Sequence, residues 1–317
     1  MRSSRTALRC AALGALLCAF GAWAQTPAEG FNAERFAPSA PGAGWFVMDS
    51  LDMHGDVGGV LSFSARYAHE PLRVSASRIP VVTDSAYGQV AGAITWRSLR
   101  FSVGFDFPLA VKGPEVTAGG FQYPAVDVDL GSNPDTLSDV RIGVDARLLG
   151  EWNGPFRLGI GAQLWIPSGE TREYLSDGTY RGMVRLLLAG DVGVFTWAGQ
   201  LGVHVRPRDD GGVPGAPRGS ELLFGAAAGA KLFAGEASRT VVGPEVYGAT
   251  AFAGFFKPET TSAEALLSAR WEGTGGTGPQ LRVRLGAGLG LGTQFGTPSW
   301  RVLLGIEVFS PGGPAGE

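Results

Sequence analysis

The sequence predicts an all-β chain whose strands close into an antiparallel, up-and-down barrel that crosses a membrane. Three observations carry that expectation. Charged residues are 17% of the 317 residues and 50 are glycine, against the roughly 25% charge usual in soluble domains. After the first two dozen residues no continuous apolar run reaches the roughly 20 residues that a membrane helix needs. From Val57 onward the chain instead divides into segments of strand length, in which charges keep to one alternation and apolar residues to the other.

The chain opens MRSSRTALR, with Arg2, Arg5 and Arg9, followed by the apolar run Cys10–Gly21 and the site AWAQ. A basic start, a short apolar core and an A-x-A site predict a secretory signal peptide over 1–24, cut after Ala24. Leu17 stands before Cys18 where a lipoprotein site needs a small residue, so lipidation is not expected. Both cysteines fall in the signal, which leaves the exported chain without disulfides, thiolate metal ligands or cysteine nucleophiles. A net charge of −3 gives no basis for a nucleic-acid partner. Residues 25–56 are punctuated by proline and glycine and are expected to form a periplasmic lead-in, with GWFVMDSLD as a candidate short strand.

Twelve strands are expected within a barrel spanning 57–309, near 57–69, 86–96, 100–110, 139–152, 155–166, 181–193, 195–206, 220–233, 239–251, 260–271, 280–291 and 298–309. A short tail, 310–317, follows. Short turns after the even-numbered strands alternate with wider loops at 70–85, 111–138, 167–180 and 207–219, and with shorter ones at 252–259 and 292–297. Segregation of short turns from long loops is the habit of outer-membrane barrels, and it places both termini in the periplasm. The eleventh strand, LRVRLGAGLGLG, superficially offers a glycine-rich phosphate loop. Its glycines recur at 286, 288, 290 and 292, however, a period of two that belongs to a strand and not to the G-x-G-x-x-G turn. Pro244 in TVVGPEVYGATAF cannot donate to a ladder, so a bulge or an irregular strand is expected there.

The parity of each strand separates two faces. Ile142, Val144, Ala146 and Leu148 oppose Arg141, Asp145 and Arg147, and Val302, Leu304, Ile306 and Val308 oppose Arg301 and Glu307. Extended along the chain, the inward face carries Arg66, Arg141, Arg147, Arg157, Arg185, Lys231, Arg270, Arg282, Arg284 and Arg301. It also carries Asp106, Asp145, Asp191, Glu245, Glu264 and Glu307. These ten cations and six carboxylates are expected to line the lumen, either bridging across it or flanking a small pore whose positive surplus favours anions. Trp96, Phe101, Trp152, Phe156, Trp197 and Trp271 take the apolar parity beside the short turns. Tyr67, Phe107, Phe252 and Trp300 do so beside the long loops, so the two sets form candidate interfacial girdles.

Four stretches carry a resemblance: FNAERFAPSAPGAGWFVMDSLDMHGDVGGVLSFSARYAHEPL, LSDVRIGVDARLLGEWNGPFRLGIGAQLWIPSG, TVVGPEVYGAT and FGTPSWRVLLGIEVF. From about Phe31 to Phe309 the chain resembles the N-terminal barrel of outer-membrane protein A (OmpA)-like proteins of Gram-negative bacteria. The resemblance implies an outer-membrane location, lipid as the surrounding partner, and insertion by the barrel-assembly machinery. In that family acidic calcium-binding repeats and a peptidoglycan-binding domain commonly follow the barrel. Here only SPGGPAGE follows Phe309, so a peptidoglycan tether is not expected to carry over.

Catalytic chemistry finds little footing. His54 lies in the lead-in, His69 at a loop edge and His204 on the inward face near the long loops, and none has a nucleophile at a spacing that argues for a base–nucleophile pair. DVDLGSNPD (127–135) offers oxygen ligands but breaks the EF-hand pattern at its glycine. No enzyme activity, cofactor or metal is expected. The functional expectation is a structural or passive small-pore barrel; the alternative is a dedicated channel for a small hydrophobic or anionic solute.

Overall fold

The computed structural model describes residues 26–28, 30–53, 55–74, 78–118, 120–134, 136–208, 219–235, 237–274, 278–292 and 296–310. The expected signal peptide, His54, Asp135 and the tail beyond Ser310 lie outside the described residues. Twelve strands among those described form one ring: β1 (Val57–Val74), β2 (Ile79–Trp96), β3 (Leu99–Gly113), β4 (Val140–Leu149), β5 (Arg157–Ile166), β6 (Arg181–Val192), β7 (Phe195–Val205), β8 (Glu221–Leu232), β9 (Ser238–Ala251), β10 (Thr261–Gly273), β11 (Gln280–Gly290) and β12 (Trp300–Ser310). Each pairs antiparallel with its sequence neighbour. The ring closes where β12 pairs with β1 from Trp300↔His69 to Ser310↔Gly59, so each of the twelve described strands has a partner on both sides.

The alternation read in the sequence becomes the two sides of this wall. Leu61, Val184 and Leu267 stand outward with more than 60% of their surface exposed, as the apolar outer face of a transmembrane barrel requires. Their neighbours in each strand turn inward and are buried. Register sets inward charges beside one another: Glu272 pairs opposite Arg282, and Arg282 opposite Glu307.

Some boundaries differ from expectation. The loop anticipated at 70–85 is a protruding hairpin, because β1 and β2 resume pairing out to Val74↔Ile79 after register shifts around Leu72. Glu70, at φ +50° ahead of Pro71, makes the irregularity. The 114–139 connection folds into short strands at Val116–Ala118, Phe121–Tyr123 and Val126–Asp129, the last pairing with β3. Pro244 stands opposite Leu267 in unbroken register with β10 and faces outward. On its other side the β8 ladder skips a few pairs and resumes in the same register, so no bulge forms.

The largest correction concerns residues 25–56. Thr26–Pro27 pairs in parallel with Phe121–Gln122 in the long connection, while Ser310 ends beside Gly59 near the short turns. The described chain therefore begins at the long-loop end of the barrel and finishes near the short turns. Between them the segment 31–53 runs through the interior instead of lying below it as a lead-in. Its apolar residues explain why: Phe31, Phe36, Trp45, Phe46, Val47, Met48, Leu51 and Met53 are all at most 5% exposed. GWFVMDSLD forms no strand but a tight loop closed by a single bridge, Gly44↔Asp49, with Gly42 and Gly44 at positive φ. Two apolar clusters result. One, with Phe31, Leu72, Val82, Val111, Tyr123 and Tyr174, caps the long-loop end. The other gathers Trp45, Phe46, Met48 and Leu51 against inward Leu187, Val241, Leu266 and Leu303.

Candidate functional site

Most of the buried charges among the described residues converge in the lumen, and the segment 31–53 sits in it. Its path is fixed by a succession of contacts with the wall. At the long-loop end the Asn32 amide donates to Asp177 Oδ1 at 2.9 Å. Glu34 lies between Arg301 and Arg66, at 2.9 and 3.5 Å, and Arg35 pairs with Glu221. Arg141 donates to the carbonyls of Pro38 and Ser39. The Gly42 amide donates to Glu307 at 3.2 Å, and Arg284 Nη1 donates to the Trp45 carbonyl at 2.7 Å. Glu245 accepts three successive amides, from Phe46, Val47 and Met48, at 3.0, 2.9 and 3.4 Å. Below it Asp49 pairs with Arg100, Asp52 lies 3.8 Å from Arg239, and Arg147 Nη2 donates to the Met53 carbonyl at 2.8 Å.

Apolar contacts follow the same route. Inward glycines leave hollows in the wall, and side chains of the segment fill them. A Cβ at Gly225 would meet the Met48 methyl at 2.3 Å, and one at Gly159 would meet Leu51 at 2.7 Å. One at Gly229 or at Gly286 would meet the ring of Trp45 or Phe46 at 2.8 Å. The Arg270 guanidinium lies over Trp45, Arg284 over Phe46 and Arg301 over Phe36, at 5.3, 5.1 and 4.7 Å.

All sixteen charges expected on the inward parity lie inside the barrel; Asp106, Arg147, Asp191 and Lys231 are half-buried and the others buried. The wall knits many of them together. Arg282 bridges Glu272 and Glu307 at 2.7 and 2.8 Å, and Arg284 meets Glu307 at 3.0 Å. Arg301 meets Glu264 at 3.0 Å, Arg66 meets Asp106 at 2.9 Å, and Asp145 lies between Arg100 and Arg185 at 2.9 and 3.2 Å. Arg157 and Lys231 both pair with Asp191, and Arg270 lies 3.8 Å from Glu272. Extending each strand's parity to its ends would also have found Arg100, Arg181, Arg239, Glu221 and Glu272, which complete these networks. Glu34, Arg35, Asp49 and Asp52 had no such signal, because nothing periodic marks a segment without secondary structure.

The aromatics stand on the outer surface. Trp96, Phe101, Trp152, Phe156 and Trp271 are 43–51% exposed beside the short turns, and Trp197 packs on Phe156 with ring centres 6.3 Å apart. Phe252 and Trp300 are exposed near the long loops, and Tyr67 lies 5.0 Å from Trp300. Phe107 covers the surface above Gly88 on the neighbouring strand. His69 stacks on Trp300 and lies 3.1 Å from Asp84, at the outer rim and away from the lumen. His204 is inside, 5.2 Å from the Trp165 ring and 3.6 Å from Glu221, on a cavity of about 60 Å³ under the long loops. Asp129 accepts the amides of Gly131 and Ser132, at 2.8 and 2.9 Å, closing its own turn. Two further cavities, of about 50 and 40 Å³, lie along the segment, each room for a water or two.

No protein-family model and no curated protein sequence matches the chain. Solved structures do. The COG4313 outer membrane channel from Pseudomonas putida F1 aligns with a TM-score of 0.51 at 11% identity, over 81% of this chain and 96% of that one. The NanC porin aligns at 0.44 and 8% identity over 79% and 98% of the two chains, and the CymD monoaromatic hydrocarbon channel at 0.43 and 9% over 88% and 98%. At these identities the likeness is one of architecture: this chain has the closed antiparallel barrel fold found in outer-membrane channels.

Proposed function

We propose that the chain is an outer-membrane barrel of the channel type, shut at rest by its own residues 31–53 and conducting only when they withdraw. Export through a signal peptide at 1–24, residence in a Gram-negative outer membrane and kinship with the OmpA-like barrels belong to this reading. One observation carries it: beneath the segment, the wall is charged. A lumen that stayed dry would gain little from buried ion pairs, since apolar residues of similar volume serve a permanent core as well or better. Here guanidinium groups hold the segment's carbonyls at Trp45 and Met53 and its carboxylates at Glu34 and Asp49. Polar contacts of that kind exchange readily for water.

The test is recording in planar bilayers. Refolded wild type is expected to be quiet, and the double variant Trp45→Gly/Phe46→Gly, which empties two hollows of the seat, to carry steady current. Steady current from wild type would contradict a closed resting state. Silence from a variant that still migrates as a compact, heat-sensitive barrel would favour a purely structural role.

A further inference from the structure

We infer that the pathway beneath the segment selects small anions, carboxylates foremost, and that residues 31–53 hold the wall as such anions would. The inference rests on the closed-channel reading and names its substrate class.

Two independent observations carry it. The first is charge balance. The ten inward cations and six carboxylates are joined by Arg100, Arg181, Arg206 and Arg239 and by Asp139, Asp177, Glu221 and Glu272, so the buried lining named here carries fourteen cations against ten carboxylates. The segment brings one cation, Arg35, and three carboxylates, Glu34, Asp49 and Asp52. Seated, it offsets part of the surplus; withdrawn, it leaves a low-dielectric passage with four more positive than negative groups. A narrow passage lined with an excess of one sign concentrates ions of the other.

The second is what the guanidinium groups hold. The Glu34 carboxylate lies within 2.9 Å of Arg301 and 3.5 Å of Arg66, and the Asp49 carboxylate pairs with Arg100. Arg141, Arg147 and Arg284 each donate to backbone carbonyl oxygens of the segment. These groups lie at successive levels from the long-loop end to the short-turn end, and at each the segment supplies an oxygen acceptor. Guanidinium forks suit planar carboxylates. Withdrawal would take one acceptor from each fork while Asp106, Glu264 and Asp145 stay on Arg66, Arg301 and Arg100, opening the vacated side to a solute of the same chemistry, with Arg66 and Arg301 forming the first station.

The test uses two open forms of the refolded protein. One is the full-length Trp45→Gly/Phe46→Gly variant, whose substitutions change no charge; the other is the chain lacking 31–53. In a potassium chloride gradient both are expected to shift the reversal potential toward the chloride equilibrium potential. Acetate should carry current when it replaces chloride. Succinate should reduce the chloride current, and Arg66→Gln should weaken that block several-fold. A reversal potential near zero, or one of potassium selectivity, would overturn this inference and leave the closed-channel reading standing. Silence from both forms, each migrating as a folded barrel, would overturn both. Steady wild-type current would overturn only the closed resting state, and its reversal potential would still read the sign of selectivity.

Discussion

Glu245 is the sharpest place to perturb the seat. It is fully buried, and its two oxygens accept the amides of Phe46, Val47 and Met48. Hydrogen bonds to a charged group contribute about 1.5–3 kcal/mol each. Glu245→Gln keeps the shape and one acceptor oxygen, but it removes the charge and turns an NH₂ toward a backbone N–H. The loss corresponds to one or two of the three bonds, about 2–4 kcal/mol. At roughly 1.4 kcal/mol per tenfold, local opening of the segment should rise about 30- to 1,000-fold. Hydrogen exchange in lipid nanodiscs reads this directly: protection at 46–48 falls by that factor while the amides of β1 and β12 keep theirs. Unchanged protection at 46–48 would refute the argument that Glu245 anchors the segment. Equal loss throughout the strands would show that segment and barrel open as one unit.

Other outcomes follow from the same geometry. Gly225→Leu would drive a side chain into the space of Met48, an overpacking cost of about 1–3 kcal/mol; a cysteine placed at buried Ser39 should then become reactive to maleimide. Asp49→Ala leaves Arg100 only Asp145 as a partner and should destabilise the segment by about 3–5 kcal/mol in urea titrations, with Asp49→Leu/Arg100→Met recovering much of the loss. Val184→Lys, on the lipid face, should cost about 2–4 kcal/mol in folding into vesicles if that position lies near the bilayer centre. In the loop before β6, burial tends to raise the Asp177 pKa, but Arg206 and Arg181 outweigh it and hold the carboxyl well below its usual range. Its stabilising contribution is therefore present above the unfolded value near 4 and fades as pH falls through the folded one. Protease resistance of 167–180 should persist from pH 7 to about 4 and decline below that, and Asp177→Asn should lower it already at pH 7.

The wall was legible because a strand enforces a period of two. Arg282 and Arg284, or Arg141 and Asp145, announce their face by spacing alone, and lipid punishes any slip of register. Arg100 and Glu272 follow the same parity but sit at strand ends, where boundaries blur. The occupant of the lumen was not legible in this way. Residues 31–53 have no regular structure, so their burial leaves no period. Their proline and glycine content, read as the mark of a periplasmic lead-in, instead allows the tight loop around Gly42 and Gly44. A signal was nonetheless present in two halves: the aromatics of FNAERF and GWFVM are out of place in a solvated lead-in, and Gly225, Gly229 and Gly286 are too small for a filled wall. Each half is explained by the other.

That complementarity is also the most direct test of the central claim. In a chain with Cys10 and Cys18 replaced by alanine, Met48→Cys and Gly225→Cys place two thiols where the Met48 thioether sulfur would lie 3.1 Å from a Cβ at 225. The segment within the lumen predicts that a short bifunctional thiol reagent joins 48 to 225 in high yield in intact outer membranes. It also predicts that the joined protein stays electrically silent when Trp45→Gly/Phe46→Gly is added. Free thiols at 48 that react with a bulky, membrane-impermeant reagent, with no link to 225, would contradict it.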